Sequence, residues 1–152
     1  MLKSDLPVAL PLHLFTDYDD AQGVDCDQAA ADVGLFSIPF KCEVFRAQLS
    51  ITETCAGATT TPVVKFDKRP TAGSDTSRGD GDIANFALST TAAGKQMYDE
   101  AGQGTVLSPG EEVVVELATR PVGSPAGHFI PMLMVKYLPE TVANMSDMTE
   151  TA

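Results

Sequence analysis

Tryptophan is absent from the 152 residues, histidine occurs twice, cysteine three times, and aromatic residues make up only 7%. Each scarcity excludes something. Sugar-binding sites lean on broad aromatic platforms, and without Trp only Tyr18, Tyr98 and Tyr137 remain to build one. A metal-dependent enzyme on a cupin-like scaffold needs several His ligands, and His13 and His128 fall short of the number. Cys26, Cys42 and Cys55 are odd in number and show no C-x-x-C spacing, so neither a disulfide framework nor a zinc ribbon is expected. A reducing compartment is the simpler assumption. The longest apolar run, Phe129 to Val135, is seven residues, far below the roughly 20 that span a bilayer. Positive charge is short too: 10 basic residues face 21 acidic ones, and the net charge of −11 disfavours a phosphate backbone or an anionic membrane as direct partner.

What remains is a chain that is 43% hydrophobic, long enough for one domain whose core needs no staple. The acid is concentrated at the ends. Residues 1–33 carry a net −6, residues 34–138 a net −2 and residues 139–152 a net −3. Those boundaries define the expected organisation: an acidic N-terminal arm with an edge strand, a central β-sandwich, and a mobile acidic tail. The partly apolar stretch Leu6 to Phe15 is interrupted by Pro7, Pro11 and His13, which argues against a secretory signal.

Period-two alternation dominates the centre. Glu43 to Glu53 sets Phe45, Ala47, Leu49 and Ile51 on one face against Val44, Arg46, Gln48, Ser50 and Thr52 on the other. Val63 to Lys68 points Val64 and Phe66 inward; Asp82 to Thr90 does so with Ala84, Phe86 and Leu88, and Glu112 to Thr119 with Val113, Val115 and Leu117. Phe129 to Leu138 is apolar on both faces and is expected to be covered on both. In Val8 to Phe15, Leu10, Leu12 and Leu14 share a face, and Pro11 confines the segment to an edge or an extended arm. One short helix is expected over Asp27 to Val33, capped by Asp25 or Asp27 and ended by Gly34, while Ala92 to Ala101 reads as a helical turn or a short strand. The fold class is therefore all-β, a two-sheet β-sandwich of jelly-roll type with an extended N-terminal arm and a short C-terminal tail.

Few motifs carry chemistry. The acidic cluster Asp17, Asp19, Asp20, Asp25 and Asp27 fails the EF-hand pattern at Ala21, Gln22 and Gln28 and reads as solvated loop. Asp75, Asp80 and Asp82 read the same way. Arg78-Gly79-Asp80 is an adhesive tripeptide that is also common by chance, and Ser108-Pro109-Gly110-Glu111 is a turn between strands. Nothing local activates a cysteine or a histidine, so no catalytic residue, metal site or cofactor is expected.

In order, Phe36 to Ile51, Ile83 to Ser89, Gly94 to Tyr98, Val106 to Val115 and Ala126 to Leu138 resemble the β-sandwich capsid decoration, or cement, proteins of tailed double-stranded DNA bacteriophages. The likeness spans about residues 34–138 and is one of pattern and size, without a diagnostic motif. It implies an oligomer, usually a trimer, on the virion's outer surface, made in the host cytoplasm and bridging neighbouring major capsid subunits. An apolar patch and an overlapping arm would supply the contacts. The interface candidates are Leu10, Leu12, Leu14 and Phe15 in the arm and Phe129, Ile130, Met132 and Met134 in the last strand. The competing reading is a carbohydrate-binding or adhesive module of a phage fibre or tail.

Overall fold

The computed structural model describes residues 6–15, 18–19, 22–69, 83–88 and 92–139. All regular structure among them is strand: β1 (Val8–Ala9), β2 (Leu12–Leu14), β3 (Tyr18–Asp19), β4 (Gly23–Asp25), β5 (Ala31–Ser37), β6 (Cys42–Ala56), β7 (Val63–Arg69), β8 (Ala84–Ala87), β9 (Gln96–Asp99), β10 (Val106–Leu107), β11 (Glu112–Thr119) and β12 (Ala126–Tyr137). Two antiparallel sheets result. One has the order β10-β6-β12-β4-β3, with β9 also paired to β6 and β1 to β12; the other runs β2-β5-β11-β7-β8. The expected all-β sandwich is therefore present. From β4 onward the chain changes sheet at each connection except β7 to β8 and β9 to β10.

Alternation explains which residues lie between the sheets. Val64, Phe66, Ala84, Phe86, Leu88, Val113, Val115 and Leu117 are buried, as their period predicts. Phe66 stands between Phe36 and Phe86, with ring centroids 5.8 Å from each. From the opposite sheet Leu49, Ile51, Phe129, Leu133 and Val135 complete the core.

Three expectations need correction. Asp27 to Val33 is not a helix: Asp25 Oδ1 accepts from the Asp27 amide at 2.7 Å, forming a turn, and β5 then pairs with β11. Val33 and Phe36 are fully buried in that strand, so tertiary burial overrides the helix propensity of the alanines. Gly34, expected to end a helix, instead lets β2 cross closely, because a Cβ there would meet His13 O at 2.7 Å. Phe45 does not share a face with Ala47, since β12 skips it: Val135 is opposite Val44 and Met134 is opposite Arg46. This bulge turns Val44 inward and Phe45 out. Ala92 to Ala101 resolves into turns and the short strand β9.

The last correction concerns β12, which is central yet covered on one face only. Phe129, Pro131, Leu133 and Val135 face the core, whereas Ile130, Met132 and Met134 are half-buried on the outside. Pro131 falls in the gap between β4, which pairs as far as Phe129, and β1, which begins at Met134, so its missing N–H faces no ladder on that edge.

Gly127 requires its glycine for two reasons. Its φ is +132°, and a Cβ would lie 2.7 Å from Cys55 Cα. Gly127→Ala is expected to cost about 1–3 kcal/mol, visible as a melting temperature lowered by roughly 2–12 °C. An unchanged melting curve would show that the strand relaxes freely at this point.

Candidate interaction surface

The two sheets have chemically different outer faces. On the five-stranded sheet, one row places Lys65 and Asp32 on either side of Glu116, and another places Arg69 and Ser37 on either side of Glu112. Arg69 donates to Asp32 at 2.7 Å. The middle of this face is nevertheless closed to solvent, with Val114 1%, Asp67 2% and Glu116 9% exposed.

The outer face of the seven-stranded sheet is built otherwise. Its centre is set by the register of β6 on β12, with Met132 opposite Gln48, Met134 opposite Arg46 and Ile130 opposite Ser50. On the other side of β6, Tyr98 of β9 lies opposite Gln48 and Gln96 lies opposite Ser50. The bulge adds Phe45, whose ring lies 5.1 Å from Lys136 Nζ and 5.5 Å from the Arg46 guanidinium carbon. The same guanidinium caps the Tyr98 ring at 4.4 Å. Two cations thus rest on aromatic rings beside two methionines, in a chain whose net charge is −11.

Two polar atoms on this face are buried without a hydrogen-bond partner among the described residues: Arg46 Nε, a donor, and Gln48 Oε1, an acceptor. Gln48 is only 9% exposed, and its Nε2 is held by Met132 Sδ at 3.1 Å. Arg46 and Gln48, two residues apart on β6, thus keep one unpaired donor and one unpaired acceptor buried beneath this face. Arg and Tyr are also the side chains that dominate binding energy at protein interfaces, with Met enriched there.

The sequence candidates divide accordingly. Ile130, Met132 and Met134 lie together on this face. Phe129 is fully enclosed by its own chain and Leu10 is 5% exposed, so neither presents surface. Leu10 donates its amide to Leu133 O at 3.0 Å, and Phe15 donates to Val33 O at 3.1 Å. The arm thereby straps one edge of its own sandwich, β1 on one sheet and β2 on the other. Leu12 and Leu14 pack against the core with part of each side chain exposed, and Phe15 is 56% exposed. Arg46 and Gln48 fall on the outer face of β6 by alternation alone, whereas Phe45 and Tyr98 join them through a bulge and a β6–β9 pairing that have no local signal.

The titratable groups are engaged elsewhere. His128 Nδ1 contacts Glu53, and Arg120 pairs with Asp27 at 2.7 Å. His13 is exposed on β2. All three thiols are buried, and burial with the Glu111 charge pushes Cys42 up to about 11. Among the described residues no group of three or more His, Cys, Asp or Glu is arranged to hold a metal. The Arg-Gly-Asp tripeptide, Asp17 and Asp20, and the tail beyond Pro139 lie outside the described residues.

No protein-family model matches the chain, and no curated protein matches it in sequence. In solved structures, a chain of the capsid of Ralstonia phage GP4 is similar to it, with 18% identity and a TM-score of 0.52 over 83% of this chain and 92% of that one. At that identity the likeness is one of fold.

Proposed function

We propose that this protein is a non-enzymatic virion component that decorates the outside of a tailed-phage head, binding the major capsid protein and bridging its neighbouring subunits. The observation that carries this reading is the fold likeness to a phage capsid chain along nearly the whole of that chain. The connectivity is compatible with it: two antiparallel sheets with β4-β12-β6-β9 in one and β5-β11-β7-β8 in the other fit the jelly-roll type, an architecture recurrent in viral capsid proteins. The cation-and-methionine face of the seven-stranded sheet is the docking surface in this reading, and the strap β1–β2 with Phe15 lies at its edge.

An adhesive sugar-binding role fits less well. The Tyr98 ring, 51% exposed, is already capped by Arg46, and Tyr137 is engaged edge-on by Phe40 at 5.8 Å. Neither offers a free platform for a pyranose face.

The test is co-sedimentation with undecorated heads assembled from the major capsid protein encoded alongside it. Saturable binding that makes heads more resistant to heat is expected. Absence of binding, together with retention on a glycan surface, would replace the decoration role by the adhesive one. In solution the protein is expected as a trimer, with a light-scattering mass near three times 16.0 kDa. A concentration-independent monomer would remove self-association from the proposal.

A further inference from the structure

Strand β2 ends the five-stranded sheet, and its backbone geometry shows which of its groups point away from that sheet. In an antiparallel ladder, pairs that exchange hydrogen bonds alternate with pairs that do not. The register sets Leu12, His13 and Leu14 opposite Phe36, Leu35 and Gly34. The Phe15 amide donates to Val33 O at 3.1 Å, and His13 O lies 2.7 Å from the point that a Cβ on Gly34 would occupy. His13 and Phe15 therefore bond toward β5, and Leu12 and Leu14 turn their N–H and C=O groups outward. Among the described residues no strand pairs with that outer side.

A row of outward backbone donors and acceptors is a template on which another chain adds a strand, and proteins block such edges with charge, proline or a covering group. Two other edges are blocked in this way. The Asn85 amide of β8 donates to Asp99 Oδ2 at 2.8 Å, and the Val106 carbonyl of β10 accepts from Lys68 Nζ at 3.0 Å. The β2 edge has no charge to block it: residues 6–15 hold no Asp, Glu, Lys or Arg, in a chain whose net charge is −11. Phe15, next along the row, is 56% exposed. The same arm also borders the docking face, since Ala9 of β1 lies opposite Met134. A capsid subunit seated on that face comes up to this edge.

We infer that β2 is a strand-addition site: an extended segment of the major capsid protein lies along it, pairs with the N–H and C=O groups of Leu12 and Leu14, and lengthens the five-stranded sheet by one strand. The segment that fits is uncharged and has no proline at the bonded positions. Its alternate residues are apolar, because they cover the exposed parts of Leu12 and Leu14. The occupant rests on the proposed decoration role, whereas the open edge is a property of the chain alone.

The experiment is backbone amide exchange, read by NMR on the free protein and on protein released after exchange while bound to heads of the major capsid protein. In the free protein the Leu12 and Leu14 amides should exchange quickly and those of His13 and Phe15 slowly. On heads, Leu12 and Leu14 should slow about tenfold or more. A second measurement uses Leu14→N-methyl-Leu, made by ligating a synthetic segment of residues 1–25 to the chain that begins at Cys26. This removes one outward donor and keeps the side chain, so binding to heads should weaken about five- to hundredfold with an unchanged melting curve. Slow exchange of Leu12 and Leu14 in the free protein, or a lower melting temperature for the methylated chain, would show the edge already paired and overturn the site. Protection that grows with protein concentration in the absence of heads would give the edge to a second copy and overturn the capsid segment as its occupant. Heads that bind while both amides keep exchanging quickly would overturn strand addition and leave the decoration role standing. Absence of binding to heads would remove both.

Discussion

Phe66→Ala is expected to remove about 3–5 kcal/mol of folding stability, the range for deleting a fully buried phenylalanine. Domains of this size are held by only about 5–15 kcal/mol, so the loss is a large share of the whole. Phe66 has no exposed surface and touches Phe36 on one side and Phe86 on the other, at 5.8 Å and with ring planes inclined by 31° and 64°. The three rings come from β5, β7 and β8, which β11 joins into one sheet. Removing the middle ring leaves the outer two without their shared partner, and strands on both sides of β11 limit how far the cavity can collapse. Calorimetry should show the melting temperature falling by roughly 6–20 °C. A change below about 1 kcal/mol would mean that the sheet repacks freely and that the phenylalanine cluster does not organise the core.

Much of that cluster is legible in the sequence. Phe66, Phe86 and the inward valines of β11 follow from strict period-two alternation, because parity holds from Val64 to Phe66, from Ala84 to Leu88 and from Val113 to Leu117. β6 is legible only in part. Its parity changes at Phe45, and the bulge is imposed by the partner strand at Val135 and Met134 rather than by residues near Phe45. The segment before β5 misleads for a related reason. Three consecutive alanines favour a helix locally, yet Val33 and Phe36 are buried only if the chain extends beside β11. Pro11 falls between β1 and β2, and which surface this segment covers depends on Leu133 and Val33, more than a hundred and about twenty residues away in the chain. For the interaction surface, Ile130, Met132 and Met134 can be read from the two-sided apolarity of one strand. The stacking of Arg46 on Tyr98 cannot, since a guanidinium placed on a ring 52 positions later is a product of register alone.

Met132→Glu combined with Met134→Glu is expected to weaken binding to heads by about one to two powers of ten. Each methionine contributes about 0.8–1.5 kcal/mol if its exposed half is covered on docking, and every 1.4 kcal/mol is tenfold in affinity. The fold is expected to survive. Both side chains point away from the core, and the new carboxylates arrive beside Arg46, directly opposite position 134, and near Lys136 on the same face. Those cations stabilise the glutamates in the free protein, so a flat melting curve should accompany the lost affinity. The same neutralisation deepens the loss at the interface, because Arg46 is then occupied from within instead of being open to the partner. Leu12→Ser with Leu14→Ser provides the contrast. Those leucines pack against the core, so that pair should lower the melting temperature first and binding only in proportion. If the methionine variant binds heads at full strength while the leucine variant melts normally and fails to bind, the contact lies on the arm, and the outer face of the seven-stranded sheet is not the docking surface.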